Sequence, residues 1–85
     1  MRVDYQKTFL KELDKLPKKI EEKFYTRLEL FLKNPTNSLL SYHSVDRAYP
    51  GCYSINITGD YRAIFRQQDN SVIFVHIGTH SQLYG

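Results

Sequence analysis

The sequence predicts an α+β domain in which a short N-terminal strand and a helical hairpin pack on a small antiparallel β-sheet. Three observations predict it. Apolar residues recur at helical spacing up to Lys33, the spacing changes to strict alternation after Gly51, and 85 residues provide for one core and no second domain. The whole chain, residues 1–85, therefore reads as one unit without a linker.

Val3 to Tyr5 is a short segment suited to a sheet edge. Phe9, Leu10, Leu13 and Leu16 follow at helical spacing, and Pro17 closes that helix. The spacing predicts a second helix from about Lys18 to Lys33, with Ile20, Phe24, Leu28, Phe31 and Leu32 as its apolar stripe. Lys19, Glu22, Lys23, Arg27 and Glu29 lie off the centre of that stripe; their mixed signs describe a solvated face, not a dedicated RNA-binding helix. Asn34-Pro35 ends the helix, because a residue before proline avoids the α region.

Thr36 to Gly51 reads as a largely polar loop with Pro50-Gly51 as its turn. Tyr53, Ile55 and Ile57 then alternate with Ser54, Asn56 and Thr58, as in a strand with one buried face. Gly59-Asp60 is a turn pair and Tyr61 to Gln67 a second strand, so the two form a hairpin. After the Asp69-Asn70 turn, Val72 to Ile77 is a nearly continuous apolar run, consistent with a central strand covered on at least one side. Two helices followed by a three-strand antiparallel meander make an α+β domain.

Composition narrows the class. Twelve Lys and Arg against nine Asp and Glu give a net charge of +3, a mild basicity that suits a polyanion and is shared by many soluble proteins. Cys52 is the single cysteine, so no intrachain disulfide can form; a bridge-stapled secreted domain is disfavoured and a cytoplasmic location expected. The N-terminal MRVDYQKTFLKELDKL contains no signal-peptide core, and the longest purely apolar run, Val72 to Val75, is far too short to span a bilayer. No membrane partner is expected. Asn56-Ile57-Thr58 matches a glycosylation sequon, which has no consequence without export.

His43 in the loop, Asp60 and Arg62 at the start of the second strand, and His80 just past the last strand are the chemically interesting side chains, with Tyr84 beside them. In an antiparallel meander the start of one strand lies beside the end of its partner, so Arg62 and His80 can meet. Breaking RNA by internal attack of a 2′-hydroxyl needs a base for that proton, an acid for the leaving 5′-oxygen and a cation for the phosphorane charge. Two histidines and an arginine can supply all three, since imidazole titrates near neutrality and the guanidinium fork binds two phosphate oxygens. That route uses no metal and no small-molecule cofactor. Cys52, His76 and His80 contain an HxxxH spacing and a thiol, but the pair works as a metal site on one face of a helix, and here it straddles Ile77-Gly78 where a strand ends. His76 is expected to be a partly buried structural histidine.

The words CYSINITGDYRAIF and VHIGTHSQLYG resemble the RelE/ParE toxin superfamily, most closely the YafQ-like messenger-RNA interferases. The GTHSxLY ending is the specific part; a DYR ahead of an apolar strand is shared more widely. The resemblance implies a RelE-like fold and a type II toxin that enters the ribosomal A site, cuts messenger RNA and is held in check by a cognate antitoxin. Carried over by position, His80 corresponds to a catalytic histidine, Tyr84 to an aromatic set against the RNA, and Asp60 to the acidic site residue. His43 sits where YafQ-like toxins have a histidine, and Arg62 matches the phosphate-contacting arginine of the RelE branch. Arg47, Lys33 and Asn56 are the expected further RNA contacts, the two cations by sequence-independent charge.

There are departures from the pattern. Asn56 stands where YafQ-like toxins carry another site histidine, and Ser54 and Asn56 where RelE has lysines, which shifts the burden to His80, His43 and Arg62. With the sequence stopping at Gly85, a C-terminal helix of the RelE kind is expected to be missing, and Tyr84 to need packing or a ligand to order it. Two other readings share this fold: a ParE-like toxin that disables DNA gyrase by binding, and a non-catalytic RNA-binding domain.

Overall fold

The computed structural model describes residues 1–85. Arg2–Tyr5 forms β1, Lys7–Asp14 α1 and Lys18–Lys33 α2; a 3-10 turn at Ser38–Leu40 leads to β2 (His43–Ser44), β3 (Cys52–Asn56), β4 (Tyr61–Gln68), β5 (Ser71–Thr79) and α3 (His80–Tyr84). The two long helices and the meander fall where the spacing places them. Pro17 serves both helices, since its carbonyl accepts from Ile20 N–H at 2.9 Å and Glu21 N–H at 3.1 Å while its ring ends α1.

One five-stranded sheet runs in the order β1-β5-β4-β3-β2. Its antiparallel centre is the expected meander, with β5 between β1 and β4 as the apolar run demands. Two features go beyond the small antiparallel sheet expected. β1 pairs with β5 in parallel, and a two-residue β2 emerges from the polar loop to pair with β3. A parallel neighbour needs a long crossover, which the helical hairpin begins.

Both long helices cover one face. Phe9, Leu13, Phe24, Leu28 and Phe31 meet Ile55, Ala63, Phe65, Val72, Phe74 and Ile77 there. Strict alternation cannot put both Phe74 and Ile77 on that face. Ile64 opposes His76 but Phe65 opposes Phe74, so Val75 is an extra residue in β5, a bulge that resets the alternation. Leu10 and Leu32, expected in the apolar stripes, are 46% and 44% exposed. On α2 the covered flank lies on the other side, because Arg27 Nη1 donates to the Leu39 carbonyl at 3.0 Å and draws the Ser38–Leu40 turn alongside.

The opposite face is only partly covered. Val45, Cys52, Ile64 and Val75 form a second, smaller cluster there, against which Tyr49, Leu83 and Tyr84 pack. Beyond Phe74, β5 has no strand on its β1 side and Glu12 of α1 takes over that edge: Oε1 accepts from Ile77 N–H at 3.2 Å and lies 3.2 Å from His76 Nδ1. His76 thus has the partly buried, hydrogen-bonded setting of a structural histidine. No helix is long and apolar enough to cross a membrane.

Burial, before any neighbouring charge, holds the hydroxyls of Tyr5, Tyr42, Tyr49 and Tyr84 above the ordinary tyrosine value of 10.0. A raised folded-state value means the folded chain keeps protons that the unfolded chain releases. The associated stability is complete below about pH 10 and is lost as the pH rises further. Urea midpoints should therefore hold up to about pH 10 and fall as the pH rises above it, in step with phenolate absorbance. A midpoint that stays level while the tyrosines ionise would show that these hydroxyls are equally solvated in both states.

Candidate active site

The sheet register assembles the site. Asn56 on β3 stands opposite Arg62 on β4, Arg62 opposite Gly78 on β5, and His43 on β2 opposite Ser54 on β3. Asn56 and Arg62 point away from the long helices, into the part of the face that the second cluster leaves open. With α3 following directly on β5, His43, Arg47, Asn56, Arg62, His80 and Tyr84 line one open cleft of about 390 Å³, which Ser41, Ser44, Val45 and Ala48 complete.

His43 has a defined orientation. Its Nδ1 lies 2.7 Å from the Ser41 carbonyl, which can only accept, so Nδ1 carries the proton and the neutral ring keeps its lone pair on Nε2. That lone pair is what a general base requires. Ser41 adopts φ +46°, a left-handed conformation unusual for a serine. Arg47 and Ala48 reach the cleft on a loop held at both ends, where Asp46 Oδ1 accepts from Gly51 N–H at 2.6 Å and Val45 N–H donates to the Cys52 carbonyl at 3.0 Å.

The GTHSxLY ending folds as the N-cap and the whole of α3, not as a frayed tail. Thr79 is its N-cap: Thr79 Oγ1 accepts from Gln82 N–H at 3.2 Å, and Gln82 Oε1 accepts from Thr79 N–H at 2.9 Å. His80 and Tyr84 are four apart on this helix, and their rings lie 4.8 Å apart. Tyr84 is thereby ordered by packing. Its hydroxyl is held above the usual tyrosine range, by burial first, while the Arg62 charge pulls the other way. At neutral pH it can stack or donate a hydrogen bond, but it is no base.

Gly78 has a reason of its own. A Cβ there would stand 2.9 Å from Gln82 Oε1, the atom that caps Thr79. Gly78→Ala should displace that amide, cost about 1 kcal/mol in urea unfolding, the worth of one hydrogen bond, and loosen α3. Gln82→Ala removes the same bond without a clash and should cost as much, with the double variant no worse than either. Additive losses would show that Gly78 acts through something other than this cap.

Two of the sequence-derived site residues are placed differently. The Asp60 carboxylate is not among the groups lining the cleft; the residue joins through its main chain, whose carbonyl accepts from His80 N–H at 3.1 Å and Arg62 Nη1 at 3.0 Å. It ties the arginine to the start of α3. Lys33 lies in the helical layer, behind the sheet from the cleft, with its Nζ 3.8 Å from Glu29 Oε1, because α2 packs on the covered face. Ser41, Ser44, Val45 and Ala48 escape a reading of the sequence altogether. A two-residue strand and a left-handed serine leave no periodic or compositional mark.

Two arginines make the cleft cationic; two histidines line it beside them, and no carboxylate does. Behind them Ser54 Oγ and Asn56 Oδ1 are buried without a hydrogen-bond partner, and Ser54 itself is 0% exposed. No three His, Cys, Asp or Glu side chains gather into a metal-ligand set. Cys52 is buried beneath the sheet face with Sγ 3.7 Å from the Pro50 carbonyl.

A family model for the ParE toxin of type II toxin-antitoxin systems matches residues 3–84. Among solved structures the chain is similar to YafQ from E. coli, at 21% identity and a TM-score of 0.83, with 100% of both chains covered. The YoeB/ParE toxin from Agrobacterium tumefaciens is similar at 14% identity and a TM-score of 0.77, covering 94% of this chain and 99% of that one. The RelB-RelE antitoxin-toxin complex from Methanococcus jannaschii contains a chain similar at 22% identity and a TM-score of 0.74, covering 95% and 94%. YafQ also appears bound to DinJ in a toxin-antitoxin complex. These likenesses are of fold. No curated protein matches by sequence.

Proposed function

We propose, from the premise that this chain belongs to the ParE toxin family of type II toxin-antitoxin systems, that it is a ribosome-dependent messenger-RNA endoribonuclease that halts translation. The observation that carries the proposal is the convergence of His43, Arg62, His80 and Tyr84 from two strands and a helix onto one cleft. His43, with Nδ1 engaged and Nε2 free, takes the proton of the RNA 2′-hydroxyl. The 2′-oxygen bonds to phosphorus as the bond from phosphorus to the 5′-oxygen breaks, and His80 in its imidazolium form protonates the departing oxygen. Arg62, held at one nitrogen by the Asp60 carbonyl, offers its remaining N–H groups to the non-bridging oxygens. The products are a 2′,3′-cyclic phosphate and a free 5′-hydroxyl.

Asn56, paired with Arg62 across the strands, adds a neutral contact to the same phosphate, and Tyr84 stacks on a base. Arg47 holds the RNA backbone by charge, so binding should weaken steeply with salt. Lys33, behind the sheet, contributes only to the general field. The partners are messenger RNA on the ribosome and a cognate antitoxin in the cytoplasm; the cationic cleft suits an acidic antitoxin segment that blocks it.

The test is cleavage of messenger RNA on purified ribosomes in the presence of chelator. Cuts ending in a cyclic or 3′-phosphate, unaffected by chelator, support the proposal; intact message from a chain that still stops growth overturns it. The matched family description favours one other reading, a ParE-like toxin that binds gyrase, which predicts that second outcome.

A further inference from the structure

We propose that Tyr49, which stands outside the cleft, is a positioning residue whose hydroxyl holds the last turn of α3 and so sets Tyr84 in the cleft. The consequence for catalysis rests on the ribonuclease reading; the tether itself does not.

α3 has five residues, too few to persist as a helix without outside support. Its start is secured by the Thr79–Gln82 cap and by His80 N–H on the Asp60 carbonyl. Its end is closed by Gly85 N–H, which donates to the Ser81 carbonyl at 2.8 Å, and the carbonyls after Ser81 have no partner within the helix, as at the end of every helix. Tyr49 reaches across 34 residues of sequence to donate its hydroxyl proton to one of them, the Leu83 carbonyl. The Tyr49 ring also meets the Tyr84 ring edge-on, at 5.9 Å and 71°.

The tether is anchored behind as well. Tyr49 N–H donates to the Val45 carbonyl at 2.9 Å, and the Tyr49 carbonyl accepts from Cys52 N–H at 3.0 Å. Its ring packs on His76 at 5.4 Å, and His76 is held by Glu12. A rigid loop residue thus supports a weak helix at the residue just before Tyr84. Burial keeps the phenol protonated, so the donor persists through the neutral range.

Tyr49→Phe keeps the ring and removes only the donor. In the intact protein, amide exchange at Gly85 should quicken about tenfold, the worth of one hydrogen bond, while the sheet amides stay as they are. The Tyr84 ring resonances should move toward their disordered positions. On ribosomes kcat should fall at least about tenfold, as small misplacements of a reacting constellation cost, with KM for RNA changed less than about twofold. In the slower Tyr84→Ala background the same change should cost little more, because what it positions is gone.

Unaltered Gly85 exchange and Tyr84 resonances in Tyr49→Phe overturn the tether. An undiminished kcat loss in the Tyr84→Ala background overturns action through Tyr84. If the wild type cuts no RNA, the ribonuclease reading fails and the exchange and resonance measurements alone decide the tether.

Discussion

Alanine at His80 is expected to slow cleavage of ribosome-bound messenger RNA by about 10²–10⁴-fold, the usual worth of a positioned general acid, and to abolish toxicity. The fold should be indifferent. His80 is exposed, its ring makes no hydrogen bond within the chain and packs on the Tyr84 ring, which Tyr49 also holds, and its main-chain N–H, which alanine keeps, donates to the Asp60 carbonyl. The urea midpoint of His80→Ala should match that of the wild type, and binding of RNA should be retained because Arg47 and Arg62 remain. A variant that still cuts at the wild-type rate would remove His80 from the chemistry. A variant that no longer cuts but stays toxic would move the target away from RNA, and gyrase would be the next to assay.

The largest effect on stability is expected at Phe74, far from that chemistry. Its ring is fully buried and lies 5.4 Å from Phe9, 5.2 Å from Phe24 and 5.4 Å from Phe65, joining α1, α2 and β4 through one side chain. Phe74→Ala should cost about 3–5 kcal/mol, the lost transfer energy together with a cavity that three rings cannot readily fill. Against a total of about 5–15 kcal/mol for a native domain, that is enough to leave a small chain partly unfolded. Urea unfolding at 25 °C measures it. A loss below about 1 kcal/mol would mean that the neighbouring rings collapse into the space, and the core would then be softer than its contacts suggest.

Much of this was legible in the chain itself. Phe9 and Leu13, then Phe24, Leu28 and Phe31, mark two helices because burial on one face imposes a period near four. Tyr53 to Ile57 and the Val72 to Ile77 run mark strands because burial imposes alternation or, at the centre of a sheet, continuity. His43, Arg62, His80 and Tyr84 declared themselves by chemical type and by the GTHSxLY ending. These are local signals, carried by a dozen residues at a time.

What the tertiary structure alone decided depends on contacts between segments far apart in sequence. The parallel β1, the short β2 beside Ser54, and the bulge at Val75 that turns Ile77 inward follow from register, which no local period specifies. The same holds in the site. Asp60 meets His80 and Arg62 through its carbonyl while its carboxylate lies outside the cleft lining, Lys33 falls behind the sheet, and α3 forms although its sequence is too short to be a helix by itself. Residue types determine which chemistry is available to this protein; long-range packing determines which atoms of those residues meet, because that is where the free energy of burying the sheet's two faces is satisfied.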